Sequence, residues 1–101
     1  KKRNYKMNFT EIINQDKPVL VDFFATWCGP CQTMAPILKQ VKDELGEKVT
    51  IIKIDVDKNQ ALANKFQVRG VPTFVLYKNG KQVWKQAGLV SKRDLITILS
   101  T

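Results

Sequence analysis

Between Lys17-Pro18 and Thr26 the chain carries an apolar run, Val19-Leu20-Val21-Asp22-Phe23-Phe24, that only Asp22 interrupts. Its residues are mostly β-branched or aromatic and show no alternation of apolar with polar positions, which suits a strand buried on both faces. Such a strand belongs at the centre of a sheet, with helices packed above and below it.

The segments around this run alternate in type. Asn8-Phe9-Thr10-Glu11 sets a capping residue three positions before an acid, and Phe9, Ile12 and Ile13 form an apolar face, so a short helix ending by Asp16 is expected. From Cys28 to about Leu45, the residues Met34, Leu38, Val41 and Leu45 recur at helical spacing. Pro36 falls inside this helix and predicts a kink, because its ring displaces the carbonyl four residues back; Gly46 marks the stop. Val49 to Val56 reads as a second strand and Asn59 to Phe66 as a short helix. Thr73 to Tyr77, Asn79-Gly80 and Gln82 to Ala87 read as strand, turn and strand, and Ser91-Lys92-Arg93-Asp94 opens a last helix with Leu95, Ile98 and Leu99 on its face. This order implies an α/β fold: a mixed central sheet with a parallel core and a C-terminal antiparallel hairpin, flanked by helices on both faces. At 101 residues without repeats, one domain spanning 1–101 is expected.

Composition narrows the chemistry. Two cysteines and no histidine exclude His-based acid/base catalysis, Ser-His-Asp triads and most metal sites. The net charge of +8 comes from basic residues scattered from Lys1 to Arg93, which reads as a solvated basic surface rather than a nucleic-acid site. No apolar stretch approaches the roughly 20 residues of a membrane span. Lys1-Lys2-Arg3 has the charge of a signal-peptide start, but the polar Asn4-Tyr5-Lys6-Met7-Asn8 follows where an apolar region belongs. The expected compartment is the cytoplasm, or an extracytoplasmic one if a signal or anchor has been removed.

Trp27-Cys28-Gly29-Pro30-Cys31 lies where the apolar strand ends and the long helix begins. Unpaired N–H groups and the helix dipole favour an anion at that first turn, which makes Cys28 the candidate nucleophile. Cys31, one turn inside, is expected to be less exposed and protonated at rest, and so suited to resolving a mixed disulfide. Gly29 is read as permitting a tight turn and Pro30 as fixing φ where its missing N–H is not needed. Other meanings of C-x-x-C fare worse. A zinc site would need ligands from another subunit, a c-type haem needs His where Gln32 stands, and a structural disulfide closing so small a loop stabilises little.

Asp22 in an apolar strand must be paired, water-solvated or protonated with a raised pKa. It is either a sheet-end residue in contact with water or a general base for the Cys31 thiol. Lys53, interrupting Ile51, Ile52 and Ile54, is its candidate charge partner or a snorkelling surface lysine.

Several spaced motifs, in register from about Phe9 to the C-terminus, resemble the thioredoxin family: Val19 to Cys31, Met34-Ala35-Pro36, Asp55-Val56-Asp57, Val68-Arg69-Gly70-Val71-Pro72-Thr73 and Lys78-Asn79-Gly80. The resemblance implies the thioredoxin fold and a cis bond before Pro72, with the Val71 backbone presented for strand-like pairing with an extended substrate. It also implies an apolar docking rim of Trp27, Gly29, Pro30, Gly70, Val71 and Gly88, a buried acid at Asp22 and its neighbour at Lys53. In three places the chain departs from the family pattern. Lys1 to Met7 is basic and polar where a first strand is usual, Gln32 stands where Lys is common, and Phe24 replaces a frequent Trp.

The function this resemblance implies is reduction of protein disulfides by dithiol exchange. A monomer without cofactor is expected, recycled by a thioredoxin reductase that draws on NADPH. The Gly-Pro spacer implies a potential near the ~ −270 mV typical of thioredoxins, against ~ −120 mV for a strong dithiol oxidant. Two further readings are an exported reductase serving extracytoplasmic thiols and a binding module in which the dithiol is incidental.

Overall fold

The computed structural model describes residues 8–101, so a strand within Lys1 to Met7 lies outside the described residues. Helix α1, Phe9–Ile13, is held at its start by the expected capping box, with Asn8 and Glu11 each accepting the other's backbone N–H at 2.9 Å. Strand β1, Val19–Phe24, leads into helix α2, Gly29–Leu45, which a short 3-10 turn, Gly46–Lys48, closes. Then come β2 (Thr50–Asp55), α3 (Gln60–Lys65), β3 (Thr73–Lys78), β4 (Lys81–Ala87) and α4 (Lys92–Leu99). Helix α2 is a single helix through Pro36. Gly46 leaves it with a φ of 55°, which a residue bearing a Cβ adopts only with strain.

The described strands form a mixed sheet in the order β2-β1-β3-β4. Strand β1 runs parallel to β2 and antiparallel to β3, and β3 and β4 form the hairpin. β1 is thus interior and covered on both sides, as its composition predicts. On one face Leu20, Phe74 and Leu76 pack against Met34, Leu38 and Val41 of α2 and Leu95 and Leu99 of α4. On the other, Val19, Val21, Phe23, Val75 and Tyr77 pack under α1 and α3, where the Phe9 ring lies 4.7 Å from that of Phe66. Each large side chain so buried contributes about 1.5–3 kcal/mol. The alternation along β1 sends Asp22 to the α2 face with Leu20, one strand-end away from the cysteines. No described helix is long and apolar enough to cross a membrane.

Candidate active site

The site forms where β1 and β2 end side by side, because parallel strands deliver their C-terminal ends to one edge of the sheet. Beyond Phe24 the chain turns through Ala25 to Trp27, and Cys28 becomes the N-cap of α2. Its Sγ accepts the Cys31 backbone N–H at 3.2 Å, filling the role that a serine or aspartate oxygen has in other helices. On its other side the same sulfur lies 3.6 Å from the Val71 carbonyl. The Val71-Pro72 bond is cis, and Pro72 is fully buried.

Both cysteines are free thiols. Cys31 is not the less exposed one: 4% of Cys28 and 8% of Cys31 is accessible. The Cys31 thiol is nevertheless held in its protonated form. Burial, then a hydrogen bond to Cys28, then the charges of Cys28 and Asp22 push the Cys31 thiol up to about 11, against the opposing pull of the Ala25 backbone. Cys31 is therefore biased toward its protonated form, but not through the lesser exposure expected of it.

Asp22 is 3% accessible, and its Oδ1 has no hydrogen-bond partner among the described residues. Burial raises its carboxyl to about 6, with the Lys53 charge pulling the other way. It shares a cleft of about 220 Å³ with Cys31, Ala35, Phe24 and Lys53, which leaves room for water between carboxylate and thiol. The sheet-end reading of Asp22 is thereby corrected: the residue is central and buried. Lys53 stands beside it in the strand register but makes no ion pair with it. Its ammonium sits 5.8 Å from the centre of the Phe24 ring at the exposed mouth of the cleft, so it acts on Asp22 through space and not by contact.

Of the expected docking residues, Val71 faces the Cys28 sulfur through its carbonyl, and Trp27, Gly70 and Val71 line one groove. Trp27 is 70% exposed, and a groove of about 280 Å³ runs between it and Val56, Val68, Arg69, Gly70 and Val71. Pro30 occupies the first turn of α2, as its missing N–H allows. Gly29 needs a different explanation from the tight turn expected of it. It is an ordinary helical residue, and a Cβ there, as at Gly70, would meet nothing within 4 Å. Its bare surface leaves space outside the protein rather than relieving strain inside it. Gly88 does require glycine, at a φ of 92°, and its N–H binds the Pro72 carbonyl at 2.9 Å.

Asp57, quoted in a motif but given no role by it, also belongs to the site. Its Oδ2 accepts the Trp27 indole N–H at 2.8 Å and fixes the exposed ring. The signal lies in strand register: Phe24 pairs with Asp55, so residues two or three beyond each strand end come together. A cleft of about 380 Å³ lined by Pro18, Leu45, Val49 and Leu99 lies at the opposite end of β1, away from these groups.

A family model described as Thioredoxin matches residues 2–101. The chain is 47% identical over 90 residues to Thioredoxin Y, chloroplastic, of Oryza sativa subsp. japonica, a match covering 88% of this chain and 54% of that protein. It is 42% identical over 92 residues to the Bifunctional thioredoxin reductase/thioredoxin of Mycobacterium leprae (strain TN), covering 91% of this chain and 20% of that one. The chain thus spans about half of the first relative's length and a fifth of the second's. Among solved structures, a mutant thioredoxin from Halobacterium salinarum NRC-1 superposes with a TM-score of 0.81 at 40% identity, covering 92% of this chain and 83% of that one. With sheet order, dithiol and family model in agreement, the chain belongs to the thioredoxin family, whose members are protein-disulfide oxidoreductases.

Proposed function

We propose that this chain reduces disulfides in target proteins, with Cys28 as nucleophile and Cys31 as resolving residue. The observation that carries the reading is the asymmetry of the pair. The Cys28 sulfur caps α2 beside the Val71 carbonyl, whereas the Cys31 thiol, which shares the Asp22 cleft, is biased toward its protonated form. The Cys28 thiolate attacks one sulfur of the target, a mixed disulfide forms, and the departing thiolate takes up a proton. Cys31 then gives its proton to Asp22, directly or through water in the shared cleft, and attacks Cys28 Sγ. The second target thiolate leaves, and the Cys28–Cys31 disulfide retains the oxidising equivalents.

Burial raises both groups, and the neighbouring Cys28 and Asp22 charges raise Cys31 further, which favours the proton on Cys31 at rest. Formation of the mixed disulfide removes both the Cys28 charge and its capacity to accept the Cys31 hydrogen bond. Two of the causes that hold Cys31 up then vanish, and its thiolate becomes accessible when the reaction calls for it. Trp27, Gly29, Pro30, Gly70, Val71, Pro72 and Gly88 form the docking face, with the Val71 backbone available for strand-like pairing.

No prosthetic group enters this exchange, since the electrons reside in the sulfurs. The Mycobacterium leprae relative, named for reductase and thioredoxin in one chain, supports a thioredoxin reductase as the recycling partner, with NADPH as the distal donor. The domain acts as a monomer where thiols are kept reduced, here the cytoplasm. Family membership does not favour an incidental dithiol or an exported role. Equilibration against a dithiothreitol couple tests the direction of electron flow. The reading expects a potential near −270 mV, the thioredoxin range, and one near −120 mV overturns it, both on the approximate scale for such dithiols.

A further inference from the structure

The turn leaving α3 presents two backbone carbonyls, those of Phe66 and Gln67, to a single ammonium, with Lys85 Nζ at 3.1 and 3.2 Å from them. Lys85 belongs to β4, where it stands opposite Val75 of β3. Both carbonyls lie past Lys65, the last residue of α3, where no helical N–H reaches them, and a cation can satisfy them by hydrogen bonding. Gln67, in the left-handed region at a φ of 57°, turns the chain out of the helix. The residues that follow, Val68 to Val71, line the groove beside Trp27 and end on the carbonyl that faces Cys28. At the far end Thr73 Oγ1 donates to the Gly70 carbonyl at 2.6 Å. The groove wall is therefore one short segment pinned at both ends by side chains, and β4 supplies one of the pins.

We propose that Lys85 is a positioning residue for target recognition: its ammonium holds the Phe66-Gln67 turn and so presets the Val68–Val71 wall against which a protein disulfide docks. The proposal rests on the disulfide reduction assigned to Cys28. A preset wall spares the complex the ordering of those residues, which appears in half-saturation and not in the limiting rate. A disulfide too small to reach the wall gains nothing from it.

Single-turnover oxidation of the pre-reduced chain by insulin and by uncharged bis(2-hydroxyethyl) disulfide tests this. Lys85→Met keeps the hydrocarbon stem and removes the charge. Lys81→Met removes the same charge from the start of the same strand. Lys85→Met is expected to raise the half-saturating insulin concentration about fivefold, from the loss of two charge-assisted hydrogen bonds, with the limiting rate and the small disulfide unchanged within about twofold. Lys81→Met should match the wild type, and Lys85→Arg should restore most of the loss. Amide hydrogen exchange at Val68, Arg69 and Gly70 should accelerate in Lys85→Met alone. Equal behaviour of the two Met variants, equal slowing with both disulfides, or unchanged exchange overturns the proposal. A wild-type chain that leaves insulin oxidised sinks the reductase reading first, and the proposal with it.

Discussion

Burial holds the Asp22 carboxyl at about 6, against 3.8 for a free aspartate. The folded chain therefore binds this proton more tightly than the unfolded chain does. The resulting stabilisation is complete below pH 3.8 and is lost as pH rises through about 6. Above that range the ionised carboxylate destabilises the fold by about 3 kcal/mol. Asp22→Asn is expected to stabilise the protein at pH 7 by about 2 kcal/mol in urea unfolding, with the gain shrinking toward pH 4. The same variant should slow release of the second target thiol and erase a rate inflexion near pH 6. The apolar run around Asp22 makes its burial legible from the sequence, and the spacing of Cys28 and Cys31 does the same for the dithiol. Lys53 was legible only in part, because register fixes where a lysine starts and not where its long side chain ends. The contacts of Asp57 and Lys85 are illegible to motif reading, although Asp57 itself falls in a quoted motif, since their partners lie 30 residues and 18 or 19 residues away.

Helix α1 has only five residues and depends on its cap more than the longer helices do. Asn8→Ala removes the side-chain acceptor of the Glu11 N–H and should lower stability by about 1 kcal/mol, read from the urea midpoint. The Asn79-Gly80 turn is the other local device. Both residues have positive φ, at 53° and 81°, and their N–H groups reach back to Gln15 and Ile13 at 3.0 and 3.2 Å. Gly80→Ala combines a left-handed backbone with a Cβ placed 3.4 Å from Asn14 Oδ1, so a loss of about 1–2 kcal/mol in the urea midpoint is expected. Whereas the turn is also tied to Gln15 and Ile13 far back in the chain, caps and periodic helices act within a few residues of chain, and for that reason the sequence predicts them closely. The last helix shows this in Ser91, whose Oγ accepts the Asp94 N–H at 3.1 Å. The cis bond before Pro72 has no local signature and came only with the family resemblance.

Across the molecule, the sheet brings together segments far apart in sequence: the end of β1, the start of α2 and the turn before β3 meet at Cys28. The chain as a whole carries a net charge of +8. Association with an acidic disulfide protein should slow about tenfold between low and physiological salt, while bis(2-hydroxyethyl) disulfide shows almost no salt effect. Stopped-flow oxidation of the reduced chain measures both. The most direct measurement of all is covalent trapping. Cys31→Ser, reduced and then mixed with insulin, is expected to yield a one-to-one mixed disulfide mapped by mass spectrometry to Cys28 and released by dithiothreitol. No such adduct should form with Cys28→Ser. A Cys31→Ser chain that captures nothing, or a Cys28→Ser chain that captures as much, contradicts the assignment of Cys28 as the attacking sulfur.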